Sequence, residues 1–247
     1  AASILLLYGI QLLWLPINGV ITLPPSIGQL VTVLIVVVTI NAVNFIDGMD
    51  GLAAGIVAIA GIAFFAFAYL LSVTFGFNRA GAPSLITAVL VGLCIGFLPH
   101  NVHPARIFMG DSGSMLLGLL LASAAITLTG QVDSNAISAE SGGPTLLPLF
   151  LPFAVLAIPL ADLLLAVGRR VKAGKSPFTP DNEHLHHRLL AGGNSQLRTA
   201  LILYMCTATI AFPVTILAFE PWWIALVTAL GLIAATIVIS KKGKVLK

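Results

Sequence analysis

The sequence predicts an all-α, polytopic transmembrane helical bundle of about eight spans, and three observations carry that prediction. Only 9% of its 247 residues are charged while 58% are apolar, at a mean hydropathy of +1.06. A soluble domain carries about 25% charged residues, so this chain lacks the polar surface to face water all round. The apolar residues come in continuous runs close to the ~20 residues a helix needs to cross the hydrocarbon core. A β-barrel would instead alternate in strands of ~10 residues. The breaks between runs hold Pro, Gly, Asn and nearly all the charge, which is where turns belong.

The first run, 2–15, begins at Ala1 partway into an apolar segment and is read as truncated, so the chain is expected to lack its true N-terminus. The second, 29–46, ends in Asn41-Ala-Val-Asn44-Phe-Ile-Asp47-Gly48-Met49-Asp50-Gly51. Asp-Gly twice in five residues marks a turn, because Gly tolerates positive φ and Asp bonds its own backbone. The third run, 52–74, starts directly after it. The fourth, 84–99, carries Gly92-Leu-Cys-Ile-Gly96, a small-xxx-small pattern that reads as a helix contact. The fifth, 113–130, follows Gly110-Asp111-Ser112. The sixth, 145–168, contains Asp162, for which a buried partnership with Arg169 or Arg170 is favoured over a catalytic role. The seventh and eighth are 199–219 and 222–240. Cys94 and Cys206 both lie inside runs and form no C-x-x-C pair, which argues against a disulfide framework or a zinc ribbon. The whole of 1–247 reads as one membrane domain, with loops at about 47–51, 100–112 and 169–198 on one side.

That side is the basic one. Alternating the eight spans places 11 of the 12 Lys and Arg together and leaves only Arg79 opposite, which makes the basic side cytoplasmic. Trp14, Trp222 and Trp223 then fall at the outer interface, where indoles are favoured. All five histidines and five of the nine acids share the cytoplasmic side. A net charge of +3 is too small to suggest nucleic acid; its placement suits the lipid bilayer's anionic head groups or an anionic substrate.

Three polar clusters occupy this face. In the first, Asn41, Asn44 and Asp47 follow one helical row, and Asp50 lies just beyond. A helix cap would explain part of it, but two carboxylates and two carboxamides exceed a cap's needs, and polar groups at membrane depth point by default to function. The second is Asn101-Val-His103-Pro-Ala-Arg106-Ile-Phe108-Met-Gly110-Asp111-Ser112-Gly113-Ser114. Asp111 can be an N-cap or a ligand for Mg²⁺, which prefers carboxylate oxygen and keeps several waters. Neither a P-loop nor a dinucleotide fingerprint is present. The third is Asp181-Asn182-Glu183-His184-Leu185-His186-His187-Arg188. It lacks the i, i+4 histidine spacing of a helical zinc site, and a phosphate clamp of imidazolium and guanidinium groups is the more natural reading. The bland alternative is a solvated charged loop.

The segments NAVNFIDGMDGLAAG, FMGDSGSMLLG and DNEHLHHRLL resemble the signature segments of the polyprenyl-phosphate N-acetylhexosamine-1-phosphate transferases, a family related to phospho-MurNAc-pentapeptide translocase. The resemblance runs over nearly the whole chain. It implies a Mg²⁺-dependent enzyme (Mn²⁺ as substitute) of the bacterial plasma membrane. The family's enzymes transfer a sugar 1-phosphate from a UDP-N-acetylhexosamine to a polyprenyl phosphate and release UMP. It implies that Asp111 is the metal-ligating aspartate and that Asp47, Asp50 and Asp111 form the catalytic set. Asn44 matches a polar position near ribose and phosphates. Gly48, Met49 and Asp50 match the segment lining the uracil pocket, along with Asn101 and the stacking aromatic Phe108, and Arg106 is taken as substrate-binding. His184, His186 and His187 match the phosphate-binding histidine motif. The family's Asp-Asp pair would lie upstream of Ala1 and is absent, along with ~two to four further spans. Asn182 stands where relatives often carry a basic residue. The spacing His-Leu-His-His-Arg favours UDP-GlcNAc; the pentapeptide substrate is the runner-up. A secondary transporter and an inactive nucleotide-binding fragment are the more distant alternatives, and a homodimer is kept open.

Overall fold

The computed structural model describes residues 1–15, 21–75, 81–131, 154, 157–174, 176 and 185–241. In order, these form α1 (Ala2–Leu7), β1 (Trp14–Leu15), β2 (Ile21–Thr22), α2 (Pro25–Ile46), α3 (Leu52–Phe75), α4 (Gly81–Asn101), α5 (Gly110–Gln131), α6 (Ala157–Lys172), α7 (Leu185–Ala191), α8 (Gln196–Ile216) and α9 (Trp222–Lys241). Six of them, α2, α3, α4, α5, α8 and α9, are long and apolar enough to cross a membrane. The protein is a multi-pass helical membrane bundle.

The first expected span is corrected. The helix there stops after six residues, because Gly9 takes a left-handed φ of +74° that breaks it. The chain then enters a two-residue antiparallel ladder in which Trp14 faces Thr22 and Leu15 faces Ile21. In the sixth expected span, α6 covers only the C-terminal part, and most of 145–156 lies outside the described residues. The loop expected over 100–112 is shorter, since α4 runs to Asn101 and α5 begins at Gly110. The loop expected over 169–198 contains the end of α6, all of α7 and the start of α8.

α3 sits centrally, packed on α4 along one side and α8 along another, while α2 packs on α5. Its run of Ala and Gly lets neighbours approach closely, as small residues do where lipid offers no hydrophobic drive for helices to associate. Phe64 and Phe67 fill the centre of the core with Leu90, Leu121 and Leu128. Several hydroxyls within the bundle are satisfied locally. Thr87, Thr129, Thr207 and Thr215 each donate to the carbonyl four residues back, at 2.8 to 3.0 Å, which removes the cost of an open donor away from water.

Among the described residues the Gly92/Gly96 stripe does not make the expected contact. Both glycines face outward with nothing near the position a Cβ would take. α9 packs on α8, and of its residues only Ala225 is buried. It is fastened at its far end by the Arg198 guanidinium, which donates to the Ile239 carbonyl and, at 2.8 Å, to that of Ser240. Those are orphan carbonyls of a helix C-terminus, where a cation is favoured. One end of the bundle thus gathers the last turns of α2, α4 and α9 with the first turns of α3, α5 and α8.

Candidate active site

The five residues joining α2 to α3 make the floor of this end. Gly51 closes the turn at φ +74°, a left-handed conformation that Gly adopts without a Cβ penalty. Both its backbone polar groups are claimed by other helices. Its N–H donates to Asn101 Oδ1 at 3.0 Å, and its carbonyl accepts from the Tyr204 hydroxyl at 2.5 Å. Tyr204 reaches it by passing over Gly55, where any Cβ would collide with the phenol ring.

Asn101, read from sequence as substrate-binding, is only 4% exposed. Its amide nitrogen donates to the Ile107 carbonyl at 2.9 Å, so both ends of the amide brace the fold. Asp50, read as catalytic, has Oδ2 committed to His103 Nδ1 at 2.8 Å and to the Ala105 N–H at 3.1 Å. These bonds draw 102–109 over the turn and set Phe108 at the rim with 75% of its surface exposed. Between them lies a cavity of about 290 Å³ lined by Asp47, Gly48, Asp50, Phe108, Gly110 and Asp111, with Met49 and Asn101 at its base. Met49 is buried in a cluster with Leu52, Ile56 and Leu203. Arg106 is exposed and is not among the lining residues.

Asp111 stands in the first turn of α5, where the helix N-terminus favours an anion. Its Oδ1 accepts from Asn44 Nδ2 at 3.2 Å. The same nitrogen donates to Ser114 Oγ at 2.9 Å. This reach from α2 to α5 depends on Gly118, whose Cβ would sit 2.7 Å from the Ile40 Cα. Asn41, the third member of the expected row, bonds back to its own helix at the Val37 carbonyl and leaves the group. Burial first, and then the Asp111 charge, push the Asp47 carboxyl from 3.8 up to about 6. A carboxyl whose ionisation is opposed by a neighbouring carboxylate fits a divalent cation. Among the described residues no three His, Cys, Asp or Glu side chains form a cage. A pair of carboxylates suits Mg²⁺, which is commonly held by one or two carboxylates, waters and substrate phosphates.

The histidine segment arrives from behind. His186 is 2% exposed and lies against Gly48, whose Cβ would sit 2.7 Å from its Nε2. It is not part of a solvated loop. His187 is exposed, its ring centroid 4.2 Å from that of His186. Asp162 anchors the segment by accepting from the Leu185 N–H at 2.8 Å. His184 lies outside the described residues. The structure therefore gathers Asp47, Gly48, Met49, Asp50, Asn101, Phe108 and Asp111 at one cavity, with Asn44 bonded to Asp111 and His186 against Gly48. Sequence reasoning missed Tyr204, Gly55, Gly118 and the bracing role of His103. Ser114, one helical turn after Asp111, had a spacing that could have revealed it.

The model of a family described as "Glycosyl transferase family 4" matches residues 1–129. The chain is similar to decaprenyl-phosphate N-acetylglucosaminephosphotransferase of Mycolicibacterium smegmatis, 46% identical over 157 residues, 63% of this chain and 39% of that protein. It is 52% identical over 130 residues to the protein of the same name in Mycobacterium tuberculosis, 53% of this chain and 32% of the relative. It also resembles undecaprenyl-phosphate alpha-N-acetylglucosaminyl 1-phosphate transferase of Escherichia coli, 31% identical over 150 residues, 58% of this chain and 37% of the relative. The matches span under two-fifths of the length of each of these proteins.

Proposed function

The chain belongs to glycosyl transferase family 4, and from that footing we propose that it transfers N-acetylglucosamine 1-phosphate from UDP-N-acetylglucosamine to a membrane polyprenyl phosphate. A lipid phosphate oxygen bonds to the sugar-linked phosphorus, the bond between the two phosphates of the nucleotide breaks, and UMP leaves with its oxygen. The observation that carries this reading is the meeting of Asp47 and Asp111, from different helices, at a cavity edged by an exposed aromatic ring. A transporter would hold its polar site near mid-membrane, whereas these groups gather at one end of the helices. That end faces the cytoplasm of a bacterial plasma membrane in this reading.

Phosphoryl transfer asks a protein mainly to position groups and offset charge. Phe108 offers a flat face for the uracil, and Gly48 leaves the room in which His186 packs against the turn. Asp111 and Asp47 would hold Mg²⁺, which supplies charge neutralisation of the phosphates when bound. His187 and Arg188, both exposed, would offer donors to phosphate oxygens.

The deciding experiment is Mg²⁺-dependent UMP release from UDP-N-acetylglucosamine with the purified protein and polyprenyl phosphate. Release that requires the lipid phosphate and stops with EDTA is expected. No release with this nucleotide or with UDP-MurNAc-pentapeptide would overturn the reaction class, and preference for the pentapeptide would overturn the sugar.

A pH dependence follows from Asp47. Its folded-state value is raised, so without cation the folded chain holds this proton better than the unfolded chain does. That contribution to stability is present at low pH and fades as pH rises from about 4 through about 6. A cation needs the ionised form. Mn²⁺ affinity, followed by titration calorimetry, is expected to rise about tenfold per pH unit below 6 and level above it. Asp47→Asn should flatten that slope; an unchanged slope in the variant would show that another group sets it.

A further inference from the structure

We infer that Ser114 is a positioning residue that acts through Asn44 to fix which oxygen of Asp111 is left for the cation. Ser114 is fully buried and its hydroxyl lies within reach of the Gly110 carbonyl at 3.1 Å and the Asp111 carbonyl at 3.3 Å. Its single proton is spent on that backbone, so towards Asn44 the oxygen can only accept. A carboxylate also only accepts. The Asn44 amide therefore faces two acceptors, Ser114 Oγ at 2.9 Å and Asp111 Oδ1 at 3.2 Å, and must turn its NH₂ towards both. With the amide so held, one N–H satisfies Ser114 and the other holds Oδ1. The carboxylate is pinned by one oxygen, and Oδ2 is left as a monodentate ligand.

Without the hydroxyl, the Asn44 NH₂ keeps Asp111 as its one acceptor of this pair, so amide and carboxylate can swing together and Asp111 gains freedom to rotate. Groups that orient a ligand are worth about 10- to 100-fold in metal affinity. The inference rests on the proposed cation site, and the test separates the two. Mn²⁺ binding to the purified, substrate-free protein is measured by electron paramagnetic resonance for the parent, Ser114→Ala and Ser114→Thr, with melting temperatures in EDTA. The expected result is a loss of about tenfold or more in Mn²⁺ affinity for Ser114→Ala, near-parent affinity for Ser114→Thr, and similar melting temperatures without metal.

Parent-like affinity in Ser114→Ala overturns the inference while leaving the cation site standing. Equal weakening in both variants with lowered melting temperatures also overturns it, because the residue then only packs. Absence of Mn²⁺ binding by the parent sinks the cation site and this inference with it. Asn44→Asp gives a check independent of Ser114. It replaces the donor by a third carboxylate, and Mn²⁺ affinity that survives that change unaltered would also overturn the relay.

Discussion

Asp111→Asn is expected to give a folded protein whose UMP release falls by on the order of 10²–10³, the loss typical of removing one charge-stabilising group from a transfer site. The substitution is nearly isosteric, and the retained side-chain oxygen can still accept from Asn44, so the α2–α5 contact survives. What disappears is a negative charge at the start of α5, and with it one of the two causes that hold the Asp47 carboxyl up at about 6. The lost charge at the helix start costs about 0.3–1 kcal/mol and the relieved repulsion on Asp47 offsets it, so the melting temperature in EDTA should stay close to the parent's. Turnover within a few-fold of the parent would remove Asp111 from the reaction.

The second large effect is expected far from the chemistry. Gly55→Ala places a methyl group inside the Tyr204 ring. Either α3 and α8 separate or the phenol leaves, and leaving breaks its bond to the Gly51 carbonyl. Overpacking of this kind costs about 1–3 kcal/mol, and the lost hydrogen bond adds about 1 kcal/mol. Thermal melting in detergent should drop accordingly, with nucleotide binding lost in parallel. Tyr204→Phe, which keeps the ring and loses only the hydroxyl, should cost less. Adding Tyr204→Ser to Gly55→Ala relieves the collision and should recover part of the melting temperature. No recovery in the double variant would mean the glycine matters for another reason.

The contrast between these two positions shows what a single sequence reveals here. Asp111, Asp47 and Asn44 are polar groups beside long apolar runs, and their cost at membrane depth makes them visible. The spans α2, α3, α4, α5, α8 and α9 were legible for the same reason, each within a few residues of its run. Residues 2–15 misled because hydropathy does not register a single left-handed glycine. Gly92 and Gly96 misled because in lipid the outside of a helix is as apolar as its neighbours, so small residues do not declare which way they face. Gly55 and Gly118 look like any other small residues in an apolar helix, and what they touch lies far along the chain. Tyr204 is separated from Gly51 by 153 positions. Asp50 and Asn101 were legible as members of the site but not as its braces, since spacing shows neither a partner nor how many of its lone pairs are taken.

The clasp on Gly51 also bears on how the cavity can fluctuate. Loops usually open on their own, well below the free energy that unfolds a domain. Here both polar groups of the loop's last residue, Gly51, are bonded to side chains on α4 and α8, so that end of the loop cannot fray until those helices move. The floor of the pocket belongs to the same cooperative unit as the membrane core. The Gly51 amide proton should therefore exchange with water only when the bundle itself opens.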